Sequence, residues 1–231
     1  MIDESAAAER RPFALTTSKY ISPANRARAG GDWCEVLELS EDSVALVLGD
    51  VAGHGEPVAA KMERVRACVL QAIRKDGVPS AVLAAGNEVV CTWGDDTLVT
   101  AIVAVVDRAR CTLTFANAGH PAPLLVGPRE HAFLYHSPAD LPLGVFGHHQ
   151  AADYVITLPV DALLILYTDG ITEHARDPLC GESELLEAAR FVYVRPGLDA
   201  ARTLAQRILS RARGRDDAAA IVLRTTAGDD W

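Results

Sequence analysis

Residues 30–55, GGDWCEVLELSEDSVALVLGDVAGHG, hold the key to the architecture of this 231-residue chain. Trp33 to Leu39 and Val44 to Gly49 read as two strands around the turn Ser40-Glu41-Asp42-Ser43, with Asp32 and Asp50 at their outer ends. If Glu41 and Asp42 form a two-residue turn, Ser40 pairs with Ser43, and Asp32 falls opposite residue 51, give or take one, beside Asp50. Cross-strand neighbours have Cβ atoms about 4.5–5.5 Å apart. Two carboxylates that close repel unless a proton or a cation sits between them. A hard divalent ion with oxygen ligands, Mg²⁺ or Mn²⁺, suits such a pair. Solvated turn aspartates are the other reading this geometry leaves open.

Beyond Gly55 the apolar positions Val58, Met62, Val65, Val69 and Ile73 recur at helical spacing, with Lys61, Glu63, Arg64 and Arg66 between them. This predicts an amphipathic helix from Pro57, ended by Asp76-Gly77, and Pro79 opens a second helix through about Cys91. Strand candidates follow at Leu98 to Val106, Cys111 to Phe115, Leu124 to Val126, Tyr154 to Leu158 and Leu163 to Thr168. A short helix from about Ser183 and another over about Leu198 to Arg211 precede a last strand, Ala219 to Arg224. Gly127 to Gln150, with three prolines, three glycines and four histidines, reads as a long loop or flap. Strands grouped in blocks indicate an α+β fold with largely antiparallel sheets rather than alternating βαβ units. The expected organisation is a loose segment 1–14, a single domain 15–226 and a tail 227–231.

The composition narrows the function classes. Lys and Arg number 22 against 31 Asp and Glu, a net charge of −9, which argues against a nucleic-acid binder and against attraction to anionic lipid. The apolar runs are strand-sized, shorter than the roughly 18–20 residues a membrane helix needs. The start, Met1-Ile2-Asp3-Glu4, is acidic where a secretory signal would be basic. Five scattered cysteines without a Cys-x-x-Cys pair fit neither a disulfide framework nor a zinc site, and a reducing, cytoplasmic compartment is expected.

Further aspartates stand at strand ends: Asp169 after Leu163 to Thr168, and Asp216 and Asp217 before the last strand. The glycines of Gly49-Asp50-Val51-Ala52-Gly53-His54-Gly55 allow tight turns and close backbone approach to a ligand, and the following helix N-terminus suits anionic oxygen. No Gly-Lys-Ser/Thr follows, so this is no Walker loop, and no Gly-x-Ser-x-Gly elbow exists.

Gly30-Gly31-Asp32-Trp33, the glycine loop 49–55, Ala116-Asn117-Ala118-Gly119-His120-Pro121, Leu166-Tyr167-Thr168-Asp169-Gly170 with Thr172-Glu173, and Asp216-Asp217 stand in an order that resembles the SpoIIE-type branch of the metal-dependent (PPM) serine/threonine protein phosphatases. The resemblance runs from about Leu15 to Arg224. It implies two antiparallel sheets packed as a sandwich, flanked by helices, with a centre of two Mn²⁺ or Mg²⁺ ions at one edge. Asp32 and Asp50 would be metal ligands, with Asp50 bridging; Val51 would add its backbone carbonyl, and Asp169 and Asp216 would complete the site. Gly31, Gly53, Asn117, His120, Gly170 and Asp217 would support it as neighbours of the ligands or as loop residues.

Two cations lower the pKa of a bridging water, and the resulting hydroxide would attack phosphoserine or phosphothreonine directly. His54 is a candidate acid for the leaving hydroxyl; His120 is expected to fix its loop beside Asn117. No carboxylate for a third ion can be placed; Asp95 and Asp96 are weak candidates. The motif departs from the family at Trp33-Cys34-Glu35, where a second aspartate is usual, and Glu35 is expected to face away from Asp32. The usual substrates of the branch are phosphorylated anti-anti-sigma proteins of the STAS type, so such a regulator is the implied partner. The helix Pro57 to Arg74 could tie activity to a partner or to a homodimer. The alternatives are a catalytically silent binding module in a regulatory switch and a hydrolase of free nucleotides.

Overall fold

The computed structural model describes residues 14–22, 30–136, 141–148, 151–173, 178–210 and 217–228. Its first sheet has the order β1-β10-β9-β6-β7, formed by β1 (Ala14–Ser22), β10 (Ala218–Thr226), β9 (Leu163–Tyr167), β6 (Leu124–Val126) and β7 (Ala132–Leu134). Its second has the order β2-β3-β4-β5-β8, formed by β2 (Trp33–Ser40), β3 (Ser43–Val51), β4 (Val99–Asp107), β5 (Thr112–Ala118) and β8 (Tyr154–Thr157). Every neighbouring pair of strands is antiparallel. Helices α1 (Glu56–Asp76) and α2 (Pro79–Cys91) cover the second sheet; α3 (Pro178–Tyr193) and α4 (Ala200–Leu209) cover the first.

Alternation along the strands builds these layers. Leu46, Leu48, Ile102, Ala104 and Phe115 face Leu164, Leu166, Ile221 and Leu223 between the sheets. The intervening Ala45, Val47, Ala101 and Val103 meet Met62, Val65, Val69 and Ile73 of α1. Central strands buried on both faces read as continuous apolar runs for this reason. Helix α1 ends as its sequence predicts: Gly77 adopts φ 66° and its N–H donates to the Ile73 carbonyl.

Two expectations need correction, and one strand was not anticipated. Strand β1 is an edge strand that mixes exposed residues with the half-buried Leu15, Ser18, Tyr20 and Ser22, and among the described residues β10 is its sole neighbour in the sheet. The stretch 127–150 is not all loop, because β7 lies within it and Leu143 bridges to Val99. Helix α3 begins at Pro178, ahead of Ser183; Gly181 lies in its first turn, where a Cβ would stand 1.9 Å from the Thr172 carbonyl oxygen, so the close approach requires glycine. The five cysteines are all free thiols, and among the described residues no helix is long and apolar enough to cross a membrane.

Candidate metal centre at the end of the sandwich

The hairpin that carries Asp32 and Asp50 contains a bulge at Leu39. Ser40 pairs with Ser43 as expected, but the register shifts between Glu38 and Ser40, so Trp33 lies opposite Gly49 rather than Asp50. A Cβ on Gly49 would stand 2.2 Å from the Trp33 ring, and glycine is what lets the indole lie across β3. One step beyond that pair, Asp32 comes level with Asp50.

Both aspartates extend the face that looks between the sheets, since Asp50 follows Leu46 and Leu48, and Asp32 precedes Cys34. Asp32 is 4% exposed. Burial, then the negative charge of Asp50, hold its carboxyl far above the ordinary carboxylate range, while the Thr168 hydroxyl opposes them. Thr168 Oγ1 donates to Asp32 Oδ2 at 2.7 Å and accepts the Ala219 N–H at 2.8 Å. This buried tie joins the two sheets beneath the carboxylates.

Asp217 enters from β10. Its Oδ2 accepts the Gly31 N–H at 2.7 Å, and its negative charge adds to the upward shift of Asp32. A Cβ on Gly30 would collide with the Asp217 carboxylate at 1.8 Å, and one on Gly170 with the Asp217 carbonyl oxygen at the same distance. On the other side of this loop, a Cβ on Gly31 would lie 2.3 Å from the Val51 carbonyl oxygen and 2.9 Å from Asp50 Oδ1. Glycine therefore lets these two oxygens converge on bare backbone.

Asn117 and His120 form a closed turn: His120 N–H donates to Asn117 Oδ1 at 2.7 Å, and Asn117 Nδ2 donates to the His120 carbonyl at 2.9 Å. The buried imidazole is pushed down to about 3 by loss of solvation, with the Tyr167 backbone as a smaller opposing influence. The ring is therefore neutral at physiological pH. Its Nδ1 lies 2.9 Å from the hydroxyl of Thr100, the cross-strand partner of Asp50, and its Nε2 has no well-formed hydrogen bond.

His54 is exposed between Gly53 (φ 111°) and Gly55 (φ 94°). Asp169 opens a single 3-10 turn, and its carbonyl accepts the N–H groups of Thr172 and Glu173. Asp216 lies outside the described residues. Among the described residues no three acidic, histidine or cysteine groups cluster tightly enough to ligate one ion. The arrangement thus brings Asp32, Asp50, the Val51 carbonyl and Asp217 to one loop system without drawing Asp169 into a three-carboxylate cluster. Asp95 pairs with Lys61, and Glu35 with Arg66 and Lys19.

Oxygen donors alone, with a buried carboxylate beside a second one, fit a hard divalent ion. Thr168, Thr100 and Gly30 were not singled out from the sequence as site residues. A threonine after a strand carries no signal of its own, but the glycines flanking Asp32 and Asp169 pointed to the close approaches.

Comparison with known proteins agrees with this architecture. Residues 40–226 match the family described as Stage II sporulation protein E (SpoIIE). Phosphoserine phosphatase RsbU of Bacillus subtilis (strain 168) is 25% identical over 145 residues, covering 62% of this chain and 43% of that protein, so the chain spans less than half the length of this relative. The structure of the RsbU and RsbW domains of Rv1364c from Mycobacterium tuberculosis superposes with a TM-score of 0.84 at 24% identity, over 96% of this chain and 62% of that one. The catalytic domain of serine/threonine protein phosphatase PstP in complex with two manganese ions gives 0.67 at 15% identity, over 93% and 99% of the two chains.

Proposed function

This chain belongs to the SpoIIE family, and from that premise we propose that it is a metal-dependent serine/threonine phosphoprotein phosphatase. The carrying observation is the buried Asp32 carboxylate set beside Asp50 at the mouth of the inter-sheet layer, an arrangement that a cation would relieve. Asp32, Asp50 and the Val51 carbonyl would hold two Mn²⁺ or Mg²⁺ ions, with Asp169 and Asp216 as the remaining ligands. When bound, such ions supply an acidified water as nucleophile and neutralise the phosphate oxygens.

The residues of the chain do the positioning. Thr168 fixes the rotamer of Asp32 through its hydroxyl. The Gly31 N–H holds Asp217, and Asp217 in turn orders the turn that presents Asp32. His120 and Asn117 steady Thr100 next to Asp50. His54, exposed on the glycine loop, is the group proposed to protonate the departing serine or threonine oxygen.

The substrate proposed is a phosphorylated regulator of the anti-anti-sigma, STAS type. Similarity to a phosphoserine phosphatase named RsbU, and to a structure that holds RsbU and RsbW domains together, supports this choice. The test is phosphate release from a phosphoserine-bearing STAS protein, and from p-nitrophenyl phosphate, with Mn²⁺ or with chelator. Activity that needs the ion and disappears in Asp50→Asn is expected. No turnover with any divalent ion would sink the enzyme reading in favour of a silent binding module. Turnover confined to free nucleotides would replace the substrate class.

A further inference from the structure

The loop Val51–Gly55 carries the carbonyl proposed as a ligand, yet its own backbone is permissive. Gly53 and Gly55 have φ of 111° and 94°, so the loop relies on outside contacts for its shape. One segment, residues 93–98, touches it at Ala52 and also grips the helix that follows it. The Ala52 N–H donates to the Leu98 carbonyl at 3.0 Å. Past the loop, in the second turn of α1, Lys61 Nζ donates to Asp95 Oδ2 at 2.5 Å and to Thr97 Oγ1 at 2.6 Å. The ammonium also lies 5.1 Å from the centre of the Trp93 ring. Asp95 Oδ1 accepts the Thr97 N–H at 3.2 Å, so the segment is braced internally as well.

We propose that Lys61 is a positioning residue: it draws the start of α1 onto the 93–98 segment and so sets the Val51–Gly55 loop that Leu98 holds at Ala52. Lys61 is suited to this because its charge has three partners on one short segment and its side chain is only 23% exposed. Arg66, five residues further along α1, is the built-in contrast. It grips Glu35 on β2 and Glu63 on its own helix, and among the described residues it makes no hydrogen bond to the glycine loop. Both cations fasten α1, but only Lys61 fastens it to the segment that holds the loop.

The effect on the loop stands independently of the function proposed above; the effect on a metal rests on it. The experiment therefore has two readouts. Hydrogen exchange of the Ala52 amide is followed by NMR in chelator-treated protein, and Mn²⁺ affinity is followed by titration calorimetry. Lys61→Met is expected to speed Ala52 exchange about tenfold and to weaken Mn²⁺ binding about tenfold, the size typical of outer-shell changes. Asp95→Asn should move both in the same direction, and Lys61→Arg should restore most of each. Arg66→Met should lower the melting temperature without moving either. Unchanged Ala52 exchange in both Lys61→Met and Asp95→Asn would overturn the proposal, as would equal acceleration in Arg66→Met. If Lys61→Met fails to fold, Asp95→Asn decides. If the wild-type protein binds no Mn²⁺, the metal reading falls and the exchange data alone decide the role of Lys61.

Discussion

In the middle of the inter-sheet layer, Leu46 and Leu48 of β3 meet Leu164 and Leu166 of β9 and Ile221 of β10. One residue pair further along the same faces, Asp50 follows Leu48, Thr168 follows Leu166 and Asp217 precedes Ala219. Asp50 still lies in β3 and is half-buried, while Thr168 and Asp217 stand one residue outside β9 and β10; the two-residue spacing continues and the chemistry reverses. Each leucine in the middle contributes about 1.5–3 kcal/mol by leaving water. A carboxylate in the equivalent position is costly unless hydrogen-bonded and neutralised. The sandwich middle is thus built for stability, and its end holds a strained set of charges that a cation would relax.

Removing a carboxylate from the end should separate the two roles most sharply. Asp32→Asn keeps an acceptor for Thr168 and deletes the charge. Mn²⁺-dependent hydrolysis is expected to fall by about a hundredfold or more, while the melting temperature measured in chelator rises. A fall in both would show that Asp32 serves the core. The opposite disturbance, Leu48→Ala in the fully buried middle, should cost about 2–5 kcal/mol in urea unfolding. The specific activity of the folded fraction should hardly change.

Acidity offers a gentler probe. The Asp32 pKa is raised by burial and by Asp50, so the folded protein disfavours the ionised form. Without metal, that raised value means that stability is fully present below the ordinary carboxylate pKa near 4 and is lost as pH rises toward the folded value. The slope should not exceed about 1.4 kcal/mol per pH unit for this single group. Melting in chelator at pH 5 and pH 8 should show the loss; Asp32→Asn should reduce it, and saturating Mn²⁺ should reverse it. Thr168→Val removes only the hydroxyl between the sheets and should have the smallest effect. Mn²⁺ affinity is expected to weaken about tenfold, with stability lowered by about 1–3 kcal/mol for the buried partners left unsatisfied.

Much of this division was readable in advance, because its middle depends on local pattern. The apolar runs around Val44 to Leu48 and Leu163 to Tyr167, and the helical spacing of Met62, Val65, Val69 and Ile73, are properties of neighbouring residues. Helix α2 occupies Pro79–Cys91, as its proline start indicated. The end was readable only in outline. Glycine beside aspartate marked Asp32, Asp50 and Asp169, but no local rule revealed the bulge at Leu39 that brings Asp32 level with Asp50. Thr168 looked like any strand-end threonine until Asp32, 136 positions away, came within 2.7 Å. Lys61 likewise looked like one more charge on a solvated helix face.

The sequence alone therefore determined most of the strands and helices, though not β1, β7 or the start of α3, together with which faces are apolar and which loops have backbone free to approach a ligand, since these depend on residues a few positions apart. Only the tertiary structure decided the pairing of β1 with β10, the register that faces Asp32 with Asp50, the convergence of Val51 and Asp50 oxygens on Gly31, and the hold of Lys61 on Asp95 and Thr97. These depend on how two sheets and a helix come to rest on one another. That outcome is set by the packing of distant side chains, and a single bulge or a missing Cβ is enough to change it.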